Sequence, residues 1–312
     1  MNIWLAPLHG ITNHVFRNSL CRHFAGIDFF MTPFFPVQER SKLNVKNWFD
    51  LWPQNNTYCP TIPQLMGNNP PHFVETMNLL HETYGYEHYN WNLGCPVSQV
   101  VHRRRGCGFM PYADGVEEVV KMVTEQTPYQ FSIKMRLGLH NPDEGLRILE
   151  RLEKYPLEFI VIHPRLGEQM YEGHPDLEMM DQFCKSTSHR IMYSGDVFSV
   201  EDYQTLQARY PMIEDWMLGR GLLRNPFLAE EIKGMDTGDK KTRFLRYYQQ
   251  WVATLLPLRK ERSTLSNLKE LWHYYAHLLQ LPEEELRKLL RMDDFERFMD
   301  TSLQFISNAE TL

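Results

Sequence analysis

Eight short β-prone runs alternate with segments of helical periodicity, and no other feature restricts the fold as tightly. The runs cover residues 3–6, 28–32, 61–65, 88–92, 131–136, 158–162, 190–194 and 215–218. Helical segments at 73–84, 116–126, 144–154 and 200–209 lie between them. Buried parallel strands read as continuous apolar runs, and eight of them with intervening helices match a (β/α)8 TIM barrel better than an open doubly wound sheet. The barrel is expected to close near residues 226–233. Beyond a Gly- and Asp-containing linker at 234–240, strand signals stop. Apolar residues then recur at helical spacing over 241–256, 265–280 and 293–307, and Pro282-Glu283-Glu284-Glu285 reads as a helix start. The expected architecture is therefore an α/β barrel followed by a small C-terminal all-helical domain.

A barrel places its chemistry on the loops at the C-terminal ends of its strands. Polar and glycine residues gather at those places: residues 7–10 after the first strand, 66–68 after the third, 92–95 after the fourth, 136–138 after the fifth, 163–165 after the sixth, Gly195-Asp196 after the seventh and 219–221 after the eighth. Seven such clusters on one face imply a shared pocket. Among them, Asn92-Leu93-Gly94-Cys95-Pro96 follows an aromatic strand, with Gly permitting a turn and Pro stiffening its exit. That setting presents Cys95 for chemistry rather than for packing.

Lys134 and Arg136 alternate with apolar residues along the fifth strand, so both point to one face, the barrel interior. Buried cations need an anionic or electron-rich partner. Few acids fall on the strands, which disfavours a structural ion pair, whereas a reduced flavin would account for both charges. Glycines and Arg220 on the seventh and eighth loops, where barrels often hold a phosphate, suit a phosphorylated cofactor or substrate. His163 and Arg165 flank a proline at the end of the sixth strand, in reach of a general acid, phosphate-binding or structural role. Gln64 ends the third strand, where an amide can pair with the edge of a flat heterocycle.

The net charge of -6 does not announce a nucleic-acid binder, but residues from Lys240 onward carry 12 Lys/Arg against 10 Asp/Glu on an otherwise acidic chain. Arg103, Arg104 and Arg105 form a run beside Cys95 that would receive a polyanion such as a phosphodiester backbone. The five cysteines are odd in number and form no C-x-x-C pair, so thiols are expected, with no disulfide framework and no metal. No run reaches the roughly 18 apolar residues of a membrane span, and the first twelve residues lack a signal-peptide pattern, so no membrane association and a cytoplasmic location are expected.

Together these residues resemble the tRNA-dihydrouridine synthase family, flavoenzymes that reduce uracil in transfer RNA. The resemblance runs through the opening Leu5-Ala6-Pro7-Leu8-His9-Gly10-Ile11-Thr12 with Phe16-Arg17, through Gln64-Leu65-Met66-Gly67 and the Asn92-Leu93-Gly94-Cys95-Pro96 loop followed by Val100 and the Gly106-Cys107-Gly108 turn, and through Lys134-Met135-Arg136-Leu137-Gly138. It continues in His163 with Arg165, Tyr171-Glu172-Gly173, Gly195-Asp196 and Leu218-Gly219-Arg220-Gly221-Leu222-Leu223. It spans the whole barrel in order. It implies a catalytic domain over residues 1–235 that binds flavin mononucleotide (FMN) and a helical tRNA-binding domain over 240–312, in a monomer with NADPH as reductant. Pro7, Gln64, Lys134 and His163 would hold the flavin ring and ribityl chain, and Gly195, Asp196, Gly219 and Arg220 would lie near its phosphate. Asn92, Arg136 and Arg165, with Arg103, Arg104 and Arg105, would face the RNA. The resemblance further implies hydride transfer from the flavin to uracil C6 and protonation of C5 by Cys95. Three positions depart from the family pattern: Gln99 stands where Lys is usual, Ser194 where Asn is common, and Leu166 where Thr is common. A flavin barrel reductase of a free pyrimidine or enone is the alternative, and a flavin-free RNA-binding module is a more distant one.

Overall fold

The computed structural model describes residues 1–309. Ten parallel strand segments form one curled sheet: β1 (Asn2–Leu5), β2 (Phe29–Met31), β3 (Phe35–Pro36), β4 (Thr61–Ile62), β5 (Gln64–Met66), β6 (His88–Leu93), β7 (Gln130–Gly138), β8 (Ile160–Leu166), β9 (Ile191–Tyr193) and β10 (Asp215–Leu218). One of the eight expected strands, 61–65, is interrupted, and β3 is an additional short segment beyond the expected run 28–32, which gives ten segments. Between β2 and β3 stand Thr32, Pro33 and Phe34, and Pro63 separates β4 from β5. Proline has no N–H to give to a ladder, so the breaks fall where the chemistry demands. Pairing nevertheless continues around the ring: β1 joins β10 and β2, β2 joins β4, and beyond Pro63 β5 joins β6. The Pro63 carbonyl accepts from Asn90 N at 3.0 Å and carries the sheet across the gap.

Helices α1 (His14–His23), α2 (Pro70–Tyr84), α3 (Ser98–Val101), α4 (Ala113–Gln126), α5 (Pro142–Leu152), α6 (Leu177–Lys185), α7 (Val200–Arg209), α8 (Arg220–Arg224) and α9 (Leu228–Ile232) accompany the strands. Their ends follow local sequence. Asn69 caps α2 ahead of Pro70 and Pro71, and Gly85 closes it in the left-handed region at φ 75°. Ser199 and Asp202 form a reciprocal capping box on α7.

Strand alternation sorts the side chains. Outward-facing Ile3, Leu5, Tyr89, Trp91, Leu93, Ile133 and Met135 pack beneath the helices. Trp4, Met31, Ile62, Phe159, Val161, Met192 and Met217 form a separate apolar cluster, which fills the barrel interior. On β6 and β7 the inward positions at the C-terminal end are instead Asn90, Asn92, Ser132, Lys134 and Arg136. An apolar plug below and a polar layer above fix the face on which chemistry can occur.

Four helices complete the described chain: α10 (Lys240–Leu255), α11 (Glu261–Leu278), α12 (Glu283–Leu290) and α13 (Phe295–Asn308). Aromatic side chains bind α10 to the barrel, with Trp251 edge-on to Phe16 at 6.1 Å and Tyr247 against Phe24 at 5.0 Å. Inside the helical region Tyr248 Oη donates to Ser302 Oγ at 3.1 Å and accepts from Trp272 Nε1 at 2.9 Å. Among the described residues no helix is long and apolar enough to cross a membrane. All five cysteines are free thiols, with the sulfurs of Cys21 and Cys59 2.7 Å apart.

Candidate active site

At the C-terminal mouth of the barrel lies a cavity of about 450 Å³. Its wall takes residues 7–9 and Ile11 after β1, Pro33 and Phe34 between β2 and β3, and the Gly94, Cys95, Pro96, Val97 turn after β6. Ser194, Gly195, Asp196 and Phe198 after β9, and Gly219, Arg220 and Gly221 after β10, close the opposite side. Asn92, Lys134, Arg136 and His163 reach it from the strand ends.

The thiol of Cys95 is held by its own turn. Asn92 Oδ1 accepts from the backbone N–H groups of Gly94 at 3.1 Å and Cys95 at 2.9 Å. The amide of Asn92 is itself fixed from below, where its Nδ2 donates to Gln64 Oε1 at 2.8 Å. Gln64 Nε2 donates to Asn90 Oδ1 at 2.8 Å, and Asn90 Nδ2 to Ser132 Oγ at 3.0 Å. This relay satisfies every buried amide it contains, so it orients Asn92 rigidly. From the other side Cys107 N donates to the Cys95 carbonyl at 3.1 Å. Burial pushes the Cys95 thiol above its ordinary value, and Arg136 and Lys134 pull it partly back.

Lys134 has no carboxylate partner among the described residues, and burial, aided by Arg136, lowers its pKa to about 7. Arg136 donates from Nε to the Gly94 carbonyl at 3.0 Å and from Nη1 to that of Leu166 at 2.7 Å, and its Nη2 has no partner among the described residues. Its guanidinium lies 5.3 Å from the Tyr171 ring centroid, and Arg220 lies 5.2 Å from the same ring. Burial first, and then the surrounding cations, hold His163 well below its ordinary pKa, so it is neutral near pH 7. Its Nε2 accepts from Arg165 Nη1 at 3.2 Å, which leaves Nδ1 as a donor. Asp196 is the hub behind this wall, accepting from Arg165 at 3.1 and 2.5 Å and from Arg220 at 2.5 Å. Burial opposes its ionisation, but the two arginines outweigh burial and keep its pKa below the usual range.

Of the residues singled out in the sequence, Pro7, Asn92, Cys95, Lys134, Arg136, His163, Gly195, Asp196, Gly219 and Arg220 line this one cavity. Gln64 lies beneath it, fully buried in the amide relay. Arg165 is also fully buried, and it gives its donors to His163, Asp196 and the carbonyls of Glu172 and Gly173. The arginine run stands apart: Asn68 Nδ2 donates to the Arg103 and Arg104 carbonyls, and the Arg104 guanidinium turns over Tyr112 at 4.9 Å. Ser194 lines the cavity, while Gln99 is exposed on the surface. Sequence reasoning missed Phe34, Phe198, Glu270 and Tyr274. The last two sit one helical turn apart on α11 and bring the C-terminal helices to the cavity rim.

A model of the dihydrouridine synthase (Dus) family matches residues 4–306. The chain belongs to the dihydrouridine synthase family. It is 28% identical over 271 residues to a tRNA-dihydrouridine(16) synthase of Pseudomonas putida, covering 84% of this chain and 80% of that one. It is 27% identical over 243 residues to tRNA-dihydrouridine synthase B of Pasteurella multocida, covering 76% and 70%. In fold it is similar to the crystal structure of TcOYE with pHBA, with a TM-score of 0.51 at 12% identity over 75% of this chain and 88% of that one. Membership in the dihydrouridine synthase family makes this chain a flavin-dependent oxidoreductase. The cavity suits a flavin nucleotide: Lys134, Arg136 and Arg220 line it against the carboxylates of Asp196 and Glu270, and the Lys134 ammonium lacks a counter-ion until an anionic group arrives.

Proposed function

We propose that this chain reduces the C5–C6 double bond of a uridine in transfer RNA to 5,6-dihydrouridine, with FMN as cofactor and NADPH as reductant. The observation that carries the reading is a thiol and an unpaired buried ammonium in the wall of one cavity, the thiol held on a turn that Asn92 braces. The names of the relatives support transfer RNA as substrate. Pro7, Lys134 and His163 would hold the flavin ring and ribityl chain, while Gly195, Gly219 and Arg220 would receive the phosphate. Gln64 would act from below by setting Asn92, and Asp196 by aiming Arg220. The helices from Lys240 onward would form the RNA-gripping domain, and residues 1–235 the catalytic one.

When bound and reduced, FMN supplies the hydride that adds to uracil C6. The protein supplies the rest. A base within folded RNA must leave its stack to enter a cavity of this kind. The Nη2 of Arg136 and the second Nδ2 proton of Asn92 are the donors available to a uracil carbonyl. As C6 gains the hydride, C5 takes the proton of the Cys95 S–H bond, whose electrons remain on sulfur. Solvent then reprotonates the thiolate. Burial keeps that thiol protonated at neutral pH, and Arg136 and Lys134 stabilise the thiolate left behind.

The test is to purify the protein, record its flavin absorbance, and incubate it with NADPH and unmodified transfer RNA. We expect a yellow protein that adds two hydrogens to one uridine, read by mass spectrometry, and a Cys95→Ala variant that largely fails to do so. A yellow protein that oxidises NADPH and leaves the RNA unchanged would instead indicate a reductase of a free pyrimidine or enone.

A further inference from the structure

Beside the cavity lies a second, larger cleft of about 800 Å³. The two share a wall. Residues 7–9 and Ile11 of the β1–α1 loop face the first, while Asn13 and His14 face the second, and the neighbours Phe34 and Phe35 divide in the same way. The far wall comes from a segment with the 3-10 turns Phe49–Leu51 and Pro53–Asn55, running on to Thr57 and Tyr58. Arg17, fully buried, fixes this segment by donating to the Thr12 and Asp50 carbonyls and to Asn56 Oδ1 at 2.7 to 3.0 Å.

On this support stand partly exposed aromatic rings, and the Arg22 guanidinium lies over the Tyr58 ring at 4.9 Å and donates to its hydroxyl at 2.6 Å. Phe49 is 52% and Tyr58 46% exposed, and Trp52 meets Phe49 edge-on at 4.9 Å. Arg22 and Arg259 line the cleft, and neither pairs with a carboxylate among the described residues. Asp50, the one carboxylate lining it, is already held by His14 and Arg17. Guanidinium groups without a carboxylate partner, set among partly exposed aromatic rings, are a recurring means of binding single-stranded nucleic acid, in which bases stack and phosphates meet arginine.

We propose that this cleft binds an unpaired nucleotide of the same RNA whose uridine enters the active cavity. The proposal rests on the functional reading above, because the common wall makes the cleft a continuation of that RNA's path. The base stacks on Phe49 and Tyr58, and its phosphate lies toward Arg22 or Arg259. The cleft thus acts in RNA affinity and register and has no part in the chemical step.

The test uses the full chain and the double variant Phe49→Ala/Tyr58→Ala, both surface sites whose truncation leaves the core intact. Two probes are applied, unmodified transfer RNA and oligoadenylate, which offers bases and phosphates but no reducible uracil. We expect Kd for both probes, and KM for transfer RNA, to rise about ten-fold or more, the scale of losing stacked rings. The kcat at saturating RNA and the RNA-independent NADPH oxidation should stay at the native level, and Phe49→Trp/Tyr58→Phe should recover affinity. Equal affinity of variant and native protein for oligoadenylate, or no binding by either, would overturn the cleft as a nucleotide site. Failure to reduce transfer RNA while oligoadenylate still discriminates the variant would count against the functional reading and leave the cleft intact.

Discussion

A proton donor works only while it holds its proton, and the walls around Cys95 govern when it does. Burial shifts its titration upward, with Arg136 and Lys134 opposing. A group with a raised pKa stays protonated to higher pH, so turnover should fall only as pH climbs beyond the usual thiol value of about 8.5. A pH profile of kcat reads this limb, and Cys95→Ser, a far weaker acid, should lower kcat by about 10²- to 10⁴-fold with flavin content unchanged. Lys134 shows the opposite shift. Folding lowers its pKa to about 7, because burial and Arg136 disfavour the ammonium. Between that value and about 10.4 in the unfolded chain, the unfolded state holds a proton that the folded state lacks. The contribution of Lys134 to stability is therefore greatest above pH 10 and is lost as pH falls toward 7. Lys134→Met should raise the melting temperature of flavin-free protein at pH 6, with the gain vanishing near pH 10. The same variant should purify with little flavin, since the charge that costs stability is the one that would hold the cofactor. Melts at the two pH values, with the absorbance of the purified variant, check both outcomes.

At the scale of elements, the turn after β6 depends on the 3-10 turn Gly106–Phe109 that backs it. Gly106 has φ 53°, and a Cβ there would stand 2.6 Å from the Cys95 carbonyl oxygen. Gly106→Ala must strain its own backbone and push that carbonyl away, at about 1–3 kcal/mol. Activity should drop further than stability does, because the displaced atom belongs to the proposed acid; denaturant melts and kcat compared on one preparation measure the two losses. The family resemblance marks the Gly106–Gly108 turn, but its contact with the Cys95 carbonyl was not legible in the sequence. The strands were legible because burial on both faces writes continuous apolar runs: β10 occupies Asp215–Leu218 and α7 Val200–Arg209, where the patterns put them. The finer breaks were less so, since Pro63 sits inside the run 61–65, and β3 at Phe35–Pro36 follows Pro33 outside any expected run. The 3-10 turns over 40–55 carry no period and left no signal. The arginine run illustrates a different limit. Three charges announce exposure, but not which way the loop faces, and Asn68 anchors its carbonyls away from the cavity.

Across the whole molecule, the cavity depends on how the C-terminal helices meet the barrel, since Glu270 and Tyr274 of α11 reach its rim. Two cations of α10 join the two parts: Lys240 pairs with Glu231 of α9 at 2.6 Å, and Arg243 makes the more buried contact. Arg243 on α10 grips both oxygens of Glu230 on α9 at 2.7 and 2.8 Å and donates to the His23 carbonyl at the end of α1 at 2.6 Å. Glu230 is only 2% exposed, and its other partner is the Ala25 N–H at 2.6 Å. Removing the arginine would leave a buried carboxylate without its counter-charge, at a cost of about 3–5 kcal/mol. Arg243→Ala should therefore lower the melting temperature strongly. Glu230→Gln in the same chain should recover much of the loss, because a neutral amide can still accept from Ala25 without needing a cation. A double-mutant cycle separates this charge effect from lost packing of the arginine against Phe24 and Phe227, which Glu230→Gln cannot repair. If the joint also sets the α11 side chains at the rim, KM for RNA should rise in Arg243→Ala while the flavin spectrum stays native. The groups proposed to hold the flavin lie on the barrel's strand ends and the loops after them, none of which the Arg243 joint contacts.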